Sequence, residues 1–160
     1  MAEQQISREQ LQSLLEAYPK EHRYALAAMQ DMQRAFNHIP REGFEALSEY
    51  LDRPVAGLFS MATFYKALSL KPNGKHTIKV CDGTACHIRG AVNLIGSIYR
   101  VLGIYPGETT ADGEFSLMTV NCLGSCALAP VMVIDEKLYC KVTMDTLPGI
   151  LEAVREEVTP

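Results

Sequence analysis

Residues 76–90 read HTIKVCDGTACHIRG. The alternation from His76 to Val80, rich in β-branched residues, predicts a strand that ends at Cys81. A glycine-containing turn, Asp82-Gly83-Thr84, then leads to a second cysteine, Cys86, placed at the start of a helix. Apolar residues recur at helical spacing from Ala91 to Leu102, and Gly103 is positioned as a left-handed cap. Phe115–Val120 alternates as a second strand, and Val131–Ile134 with Lys137–Cys140 reads as a hairpin around Asp135-Glu136. A closing helix spans Thr146 to Glu156, with Pro148 in its first turn, where proline is tolerated. The order β-α-β-β-β-α predicts a thioredoxin-like sandwich, an α/β (α+β) fold with a central mixed sheet.

Upstream of that unit, Lys71-Pro72-Asn73-Gly74-Lys75 is a turn cluster and sets a boundary between a helical domain, 1–72, and the sheet domain, 73–160. Ser7 and Gln10 form a capping-box pattern before Leu11, Leu14 and Leu15. A second helix is expected from about Glu21 to Phe36. A third follows Pro40, with Phe44, Leu47 and Leu51 on one face. A fourth segment, VAGLFSMATFY at 55–65, is so apolar that burial is expected. Met29, Met32 and Met61 read as packing residues rather than ligands.

The chain has 160 residues, 48% of them hydrophobic and 21% charged, with a formal net charge of −4. The charge gives no basic field for nucleic acid. No apolar run is long enough for a membrane span, so direct insertion is not expected. The N-terminus lacks the apolar core of a signal peptide and the acid-poor character of a transit peptide. A cytoplasmic location is expected, at most peripheral to a membrane through a larger complex. Five cysteines cannot all pair, and disulfides are disfavoured in that compartment, which points to metal binding or thiol chemistry.

Cys81 and Cys86 form one pair, Cys122 and Cys126 a second, and each pair lies in a loop at a strand end with glycine between its members. Backbone N–H groups at the start of a helix over 88–102 would favour negative charge nearby. Both spacings lie in or near the structural zinc range. Four thiolates also hold a [2Fe–2S] cluster, which gains negative charge on reduction and is tuned by hydrogen bonds to sulfur. A redox dithiol prefers Cys-x-x-Cys and a plant-type ferredoxin Cys-x4-Cys-x2-Cys, and neither pattern is present. From the residues alone the metal stays open between zinc and iron–sulfur. Asp82 is the misfit beside an anionic centre, and its side chain is expected to point outward or cap a backbone N–H. His87 reads as a half-exposed structural residue at the loop border, His22, His38 and His76 as surface or cap residues. Cys140 reads as a part-buried strand residue outside the ligand set. No Gly-rich dinucleotide fingerprint follows a strand, and no catalytic acid, base or nucleophile set appears, so no catalytic residue is assigned.

These motifs resemble a known family. CDGTAC at 81–86, CLGSCALAP at 122–130, the Thr110–Phe115 turn of T-x-D-G-x-F form and IPREGFEALSEYLDRPVAGLFSMATFYKALSLKPNGKHTIKVC at 39–81 are similar to the small thioredoxin-like [2Fe–2S] subunit of complex I. The likeness runs over nearly the whole chain. It implies one [2Fe–2S] cluster on Cys81, Cys86, Cys122 and Cys126, with FMN and NAD only in a partner subunit. It further implies single-electron exchange with the FMN of an NADH-oxidising flavoprotein in an NADH:quinone oxidoreductase, making the chain an oxidoreductase subunit that is not catalytic alone. NAD-dependent or electron-bifurcating hydrogenases and formate dehydrogenases use related subunits and are the alternative setting. A zinc-stabilised interaction adaptor and a free-standing ferredoxin-like sensor or thiol oxidoreductase are the rivals from other classes. Residues 1–72 are expected to dock the partner. Two departures from the family pattern, Cys140 in place of a usual glycine and Met144 in place of a common proline, lie outside the cysteine motifs. Ala129-Pro130 sits where thioredoxin-like folds often carry a cis bond, although trans is the default.

Overall fold

The computed structural model describes residues 6–156. Two compact units emerge, Met1–Pro72 and Asn73–Pro160.

The first unit is helical. Helix α1, Arg8–Glu16, opens with a reciprocal cap: the Gln10 N–H donates to Ser7 Oγ at 3.2 Å and the Ser7 N–H to Gln10 Oε1 at 3.1 Å. The second helix is shorter than its periodicity suggests. A 3₁₀ turn, His22–Tyr24, precedes α2, Ala25–Phe36, because Glu21 is still extended after Pro19. Asn37 in the left-handed region (φ 60°) closes α2. Helix α3, Arg41–Leu51, starts after Pro40 and buries Phe44, Leu47 and Leu51. These join Leu11, Leu15, Met29 and Met32 in one core, so both methionines pack as expected.

Helix α4, Val55–Phe64, corrects the expectation of burial. Leu58 and Ala62 are buried and Met61 packs part-buried against the core, whereas Phe59 is 48% and Phe64 79% exposed. A ten-residue helix turns only part of its circumference inward, and a helix apolar all round carries no signal for which part.

The second unit is a four-stranded mixed sheet ordered β2-β1-β3-β4: β1 His76–Cys81, β2 Phe115–Val120, β3 Val131–Ile134 and β4 Lys137–Cys140. Strand β1 runs parallel to β2, with His76 opposite Phe115 and Cys81 opposite Val120. It runs antiparallel to β3, and β3 pairs antiparallel with the edge strand β4. A short helix α5, Thr84–Ile88, follows β1. Helix α6, Ala91–Leu102, ends at Gly103 in the left-handed region, and α7 spans Leu147–Glu156. Leu94, Ile98, Leu147 and Leu151 from these last two helices pack with Ile78, Val80, Phe115, Leu117, Val131 and Ile134. Burial of each such side chain contributes about 1.5–3 kcal/mol.

Three further expectations change. The helix expected from Cys86 onward is two helices, α5 and α6, separated by Gly90 at φ 103°. His76 is not a surface residue: it is 4% exposed, its Nδ1 is 2.8 Å from Asp135 Oδ2, and its ring lies 5.6 Å from that of Phe115. Strand parity accounts for this, since His76 shares the inward face with Ile78 and Val80. Cys140 is exposed rather than part-buried, because it lies at the end of the edge strand. The Ala129-Pro130 peptide is cis.

The Thr110–Phe115 turn leads into β2. The Thr110 hydroxyl and the Glu114 N–H (3.0 Å) donate to Asp112 Oδ1, Arg155 lies 3.6 Å from its other oxygen, and Gly113 takes φ 74°. The Thr110 hydroxyl bond first, then the Glu114 N–H, and more weakly the Arg155 charge hold the Asp112 carboxyl below the usual carboxylate range. A depressed folded value means stability that is present above the unfolded pKa and lost as pH falls through the folded one. Asp112→Asn is therefore expected to melt below the parent at neutral pH and to show a shallower loss of melting temperature below about pH 4, measured by thermal unfolding across pH.

Candidate functional site

The parallel pairing of β1 with β2 builds the site. Both strands run out at the same end of the sheet, so the chain following Cys81 lies beside the chain following Val120. The Asp82 N–H donates to the Val120 carbonyl at 2.8 Å and extends that contact past the strand ends. Gly83 then approaches so closely that a Cβ built on it would lie 2.4 Å from the Asn121 carbonyl oxygen and 3.6 Å from Cys122 Cβ. Only a residue without a side chain fits between the two loops. Gly83 also starts α5, whose single turn carries Cys86 back against Cys81.

In the second loop Gly124 sits at φ 79° and donates its N–H to Cys122 Sγ at 3.3 Å. A 3₁₀ turn, Cys126–Leu128, follows. Cys81 and Cys86 are 2% and 1% exposed, whereas Cys122 and Cys126 face solvent, and all are unbridged. The buried pair and the exposed pair thus form the back and the mouth of one constellation.

The thiols act on one another within each pair. Burial pushes Cys81 up, but hydrogen bonds from the Gly83 and Leu123 amides and from the Cys86 thiol outweigh it and bring Cys81 below the ordinary thiol value. Burial, then donation to Cys81, raises Cys86, with the Val131 amide pulling the other way. Its hydrogen bond with Cys122, followed by the charge of Cys122, raises Cys126, and the Cys81 charge reaches it across the constellation. Cys81 is therefore poised to be a thiolate before Cys86, and its charge is held by backbone amides rather than by a cationic side chain.

Among the described residues, no three or more His, Cys, Asp or Glu side chains converge as around one metal ion. The cysteines stand instead as two hydrogen-bonded pairs within electrostatic reach of each other. Four thiols with backbone amides on their sulfurs fit the thiolate set and hydrogen bonding of a [2Fe–2S] centre, and a single zinc ion takes the same four ligands. All four cysteines picked out by their spacing could hold such a centre, and Cys140 lies in β4, outside both loops.

Asp82 is turned outward, as expected, but its partner is a side chain: His87 Nδ1 lies 2.9 Å from Asp82 Oδ1 in an exposed pair. His87 is likewise a surface residue. What spacing does not reveal is the supporting backbone, namely the amides of Gly83, Leu123, Gly124 and Val131 on the sulfurs. The glycine between the members of each pair is their only signal.

The profile of the thioredoxin-like [2Fe–2S] ferredoxin family matches residues 11–155. The NADP-reducing hydrogenase subunit HndA of Solidesulfovibrio fructosivorans is 33% identical over 148 residues, covering 92% of this chain and 86% of that protein. A subunit of the NADH-quinone oxidoreductase of Pseudomonas aeruginosa is 37% identical over 129 residues, 81% of this chain and 78% of that one. In the crystal structure of an air-oxidised NAD+-reducing [NiFe]-hydrogenase, one chain superposes with a TM-score of 0.72 at 20% identity. That match covers 84% of this chain and 23% of the hydrogenase chain, and it is a likeness of fold.

Proposed function

As the chain belongs to the thioredoxin-like [2Fe–2S] ferredoxin family, we propose that Cys81, Cys86, Cys122 and Cys126 hold one [2Fe–2S] cluster in an electron-transfer subunit of an NADH-linked oxidoreductase complex. The observation that carries the reading is the meeting of two cysteine pairs at the shared end of β1 and β2. When bound, the cluster supplies reversible one-electron chemistry. The residues of the chain do the rest. Cys81 and Cys86 anchor the back of the site inside the core, and Cys122 and Cys126 close it at the surface. Amides on Cys81, Cys86 and Cys122 offset the negative charge that an added electron brings. The protein thus contributes orientation and electrostatics, and the cofactor the chemistry.

The electrons come one at a time from the FMN of a partner flavoprotein that oxidises NADH, since this chain has no dinucleotide fingerprint of its own. Residues 1–72 dock that partner, and the exposed apolar face of α4 around Phe59 and Phe64 suits such an interface. Relatives include both a quinone oxidoreductase subunit and a hydrogenase subunit, so the same electron-transfer role serves either assembly. No helix among the described residues is long and apolar enough to cross a membrane, which fits a subunit working in the cytoplasm or at a membrane face.

The test is anaerobic purification followed by metal and sulfide analysis and electron paramagnetic resonance. The expected result is a brown protein with iron and sulfide in equal amounts, bleached by dithionite, with one reduced-state signal. A colourless protein with a single zinc ion that unfolds on chelation overturns the reading in favour of the adaptor.

A further inference from the structure

One charged side chain joins the two halves of the cysteine constellation, and the proposed function leaves it unassigned. Arg89 follows α5 and donates from its guanidinium to the Ala127 carbonyl at 3.1 Å. Ala127 directly follows Cys126 within the 3₁₀ turn. The contact therefore spans 38 residues of sequence and links the arm carrying buried Cys86 to the arm carrying exposed Cys126.

The other contacts of this turn show what the contact adds. Within the turn, the Leu128 N–H is taken by the Ser125 carbonyl and the Ala129 N–H by the Cys126 carbonyl. Neither of these local bonds ties the turn to the Cys86 arm. The nearby Lys141 N–H to Leu128 carbonyl bond (3.1 Å) reaches the segment after β4 instead. The acidic side chain of the first loop, Asp82, is paired with His87, and Arg89 is paired with the carbonyl. A guanidinium is always charged and gives fixed donor directions, so it positions a carbonyl and adds a positive charge at once.

We propose that Arg89 is a positioning residue for the electron-transfer site: it holds the Cys126 turn against the Cys86 arm and raises the reduction potential of the cluster through its charge. This rests on the cluster reading of the four cysteines. The first half, the clamp, holds for the polypeptide whether or not metal is bound. The second half follows because a cation close to a centre that becomes more negative on reduction favours the reduced form.

The variants are Arg89→Gln, which removes the charge, and Arg89→Lys, which keeps the charge but loses the planar fork. Two measurements are made on the full-length chain. In the metal-free chain, alkylation of each cysteine is followed by mass spectrometry. Arg89→Gln and Arg89→Lys are both expected to speed labelling of the buried Cys86 several-fold relative to the parent, with the exposed Cys140 unchanged as the internal reference. In the loaded chain, a redox titration followed by electron paramagnetic resonance is expected to show Arg89→Gln shifted negative. A threefold to tenfold change in the reduction equilibrium is expected, tenfold being about 59 mV for one electron, with Arg89→Lys shifted much less. A purely structural role would move the labelling and leave the potential of both variants equal, which overturns the electrostatic half. Unchanged Cys86 labelling in both variants overturns the clamp. Should the parent hold no iron and sulfide, the cluster reading and the electrostatic half fail together, while the labelling still decides the clamp.

Discussion

Gly83→Ala is expected to fold and yet to lose most of the iron–sulfur chromophore. The added methyl would sit 2.4 Å from the Asn121 carbonyl oxygen, a contact with backbone that no side-chain rotation relieves. Overpacking of this kind costs about 1–3 kcal/mol and sometimes more. The cheapest relief is for the two loops to separate, because the strands behind them are locked by six paired residues each. Separation moves Cys122 and Cys126 away from Cys81 and Cys86, and a dinuclear centre tolerates no such gap. Gly96→Ala is the control. That glycine lies inside α6, and its methyl would meet nothing within 4 Å, so alanine there is expected to keep full loading and to add about 0.5–1 kcal/mol. Iron per chain, visible absorption and melting temperature of the metal-free chains distinguish the cases. A fully loaded Gly83→Ala protein with parental melting would show that the close approach has no role.

The second large effect is expected at the cysteines. Alanine at Cys81, Cys86, Cys122 or Cys126 should abolish the dithionite-bleachable absorption, whereas Cys140→Ser should leave both absorption and iron content unchanged. The two pairs should differ in what else is lost. Cys86 lies in the core, so Cys86→Ala also removes packing and should lower the melting temperature of the metal-free chain. Cys126 is exposed, so Cys126→Ala should melt with the parent while carrying no cluster. Retention of a parental spectrum in any one of the four alanine variants would remove that residue from the ligand set.

Much of this is legible in the residues because the relevant signals are local. The strand and helix limits around Val80, Ala91 and Leu102 follow from periodicity and from glycines at turns. That Cys86 belongs to a separate short helix, α5, escapes such a reading, because five residues carry too little periodicity to show where a helix ends. His76 is misplaced by it because polarity outweighs parity when the strand is short. Helix α4 misleads for the opposite reason: its uniformly apolar residues hide the face left uncovered. At the site, residue type and spacing identify the thiols. The amides that act on them and the Arg89 contact depend on which loops adjoin, and that depends on the pairing of β1 with β2, which neither loop encodes alone.

The parallel pairing also has a consequence for the order of events during synthesis. Antiparallel neighbours can zip as soon as a hairpin is made, but β1 and β2 are joined through α5 and α6 and meet only after that crossover has formed. Val131, whose amide acts on Cys86, belongs to the next strand again. A nascent chain that has emerged only as far as Cys86 therefore presents two thiols with no partner loop and no finished pocket. Metal offered at that stage meets an open dithiol, and delivery of a complete cluster has to wait until the chain beyond Val131 has left the ribosome and the sheet has closed.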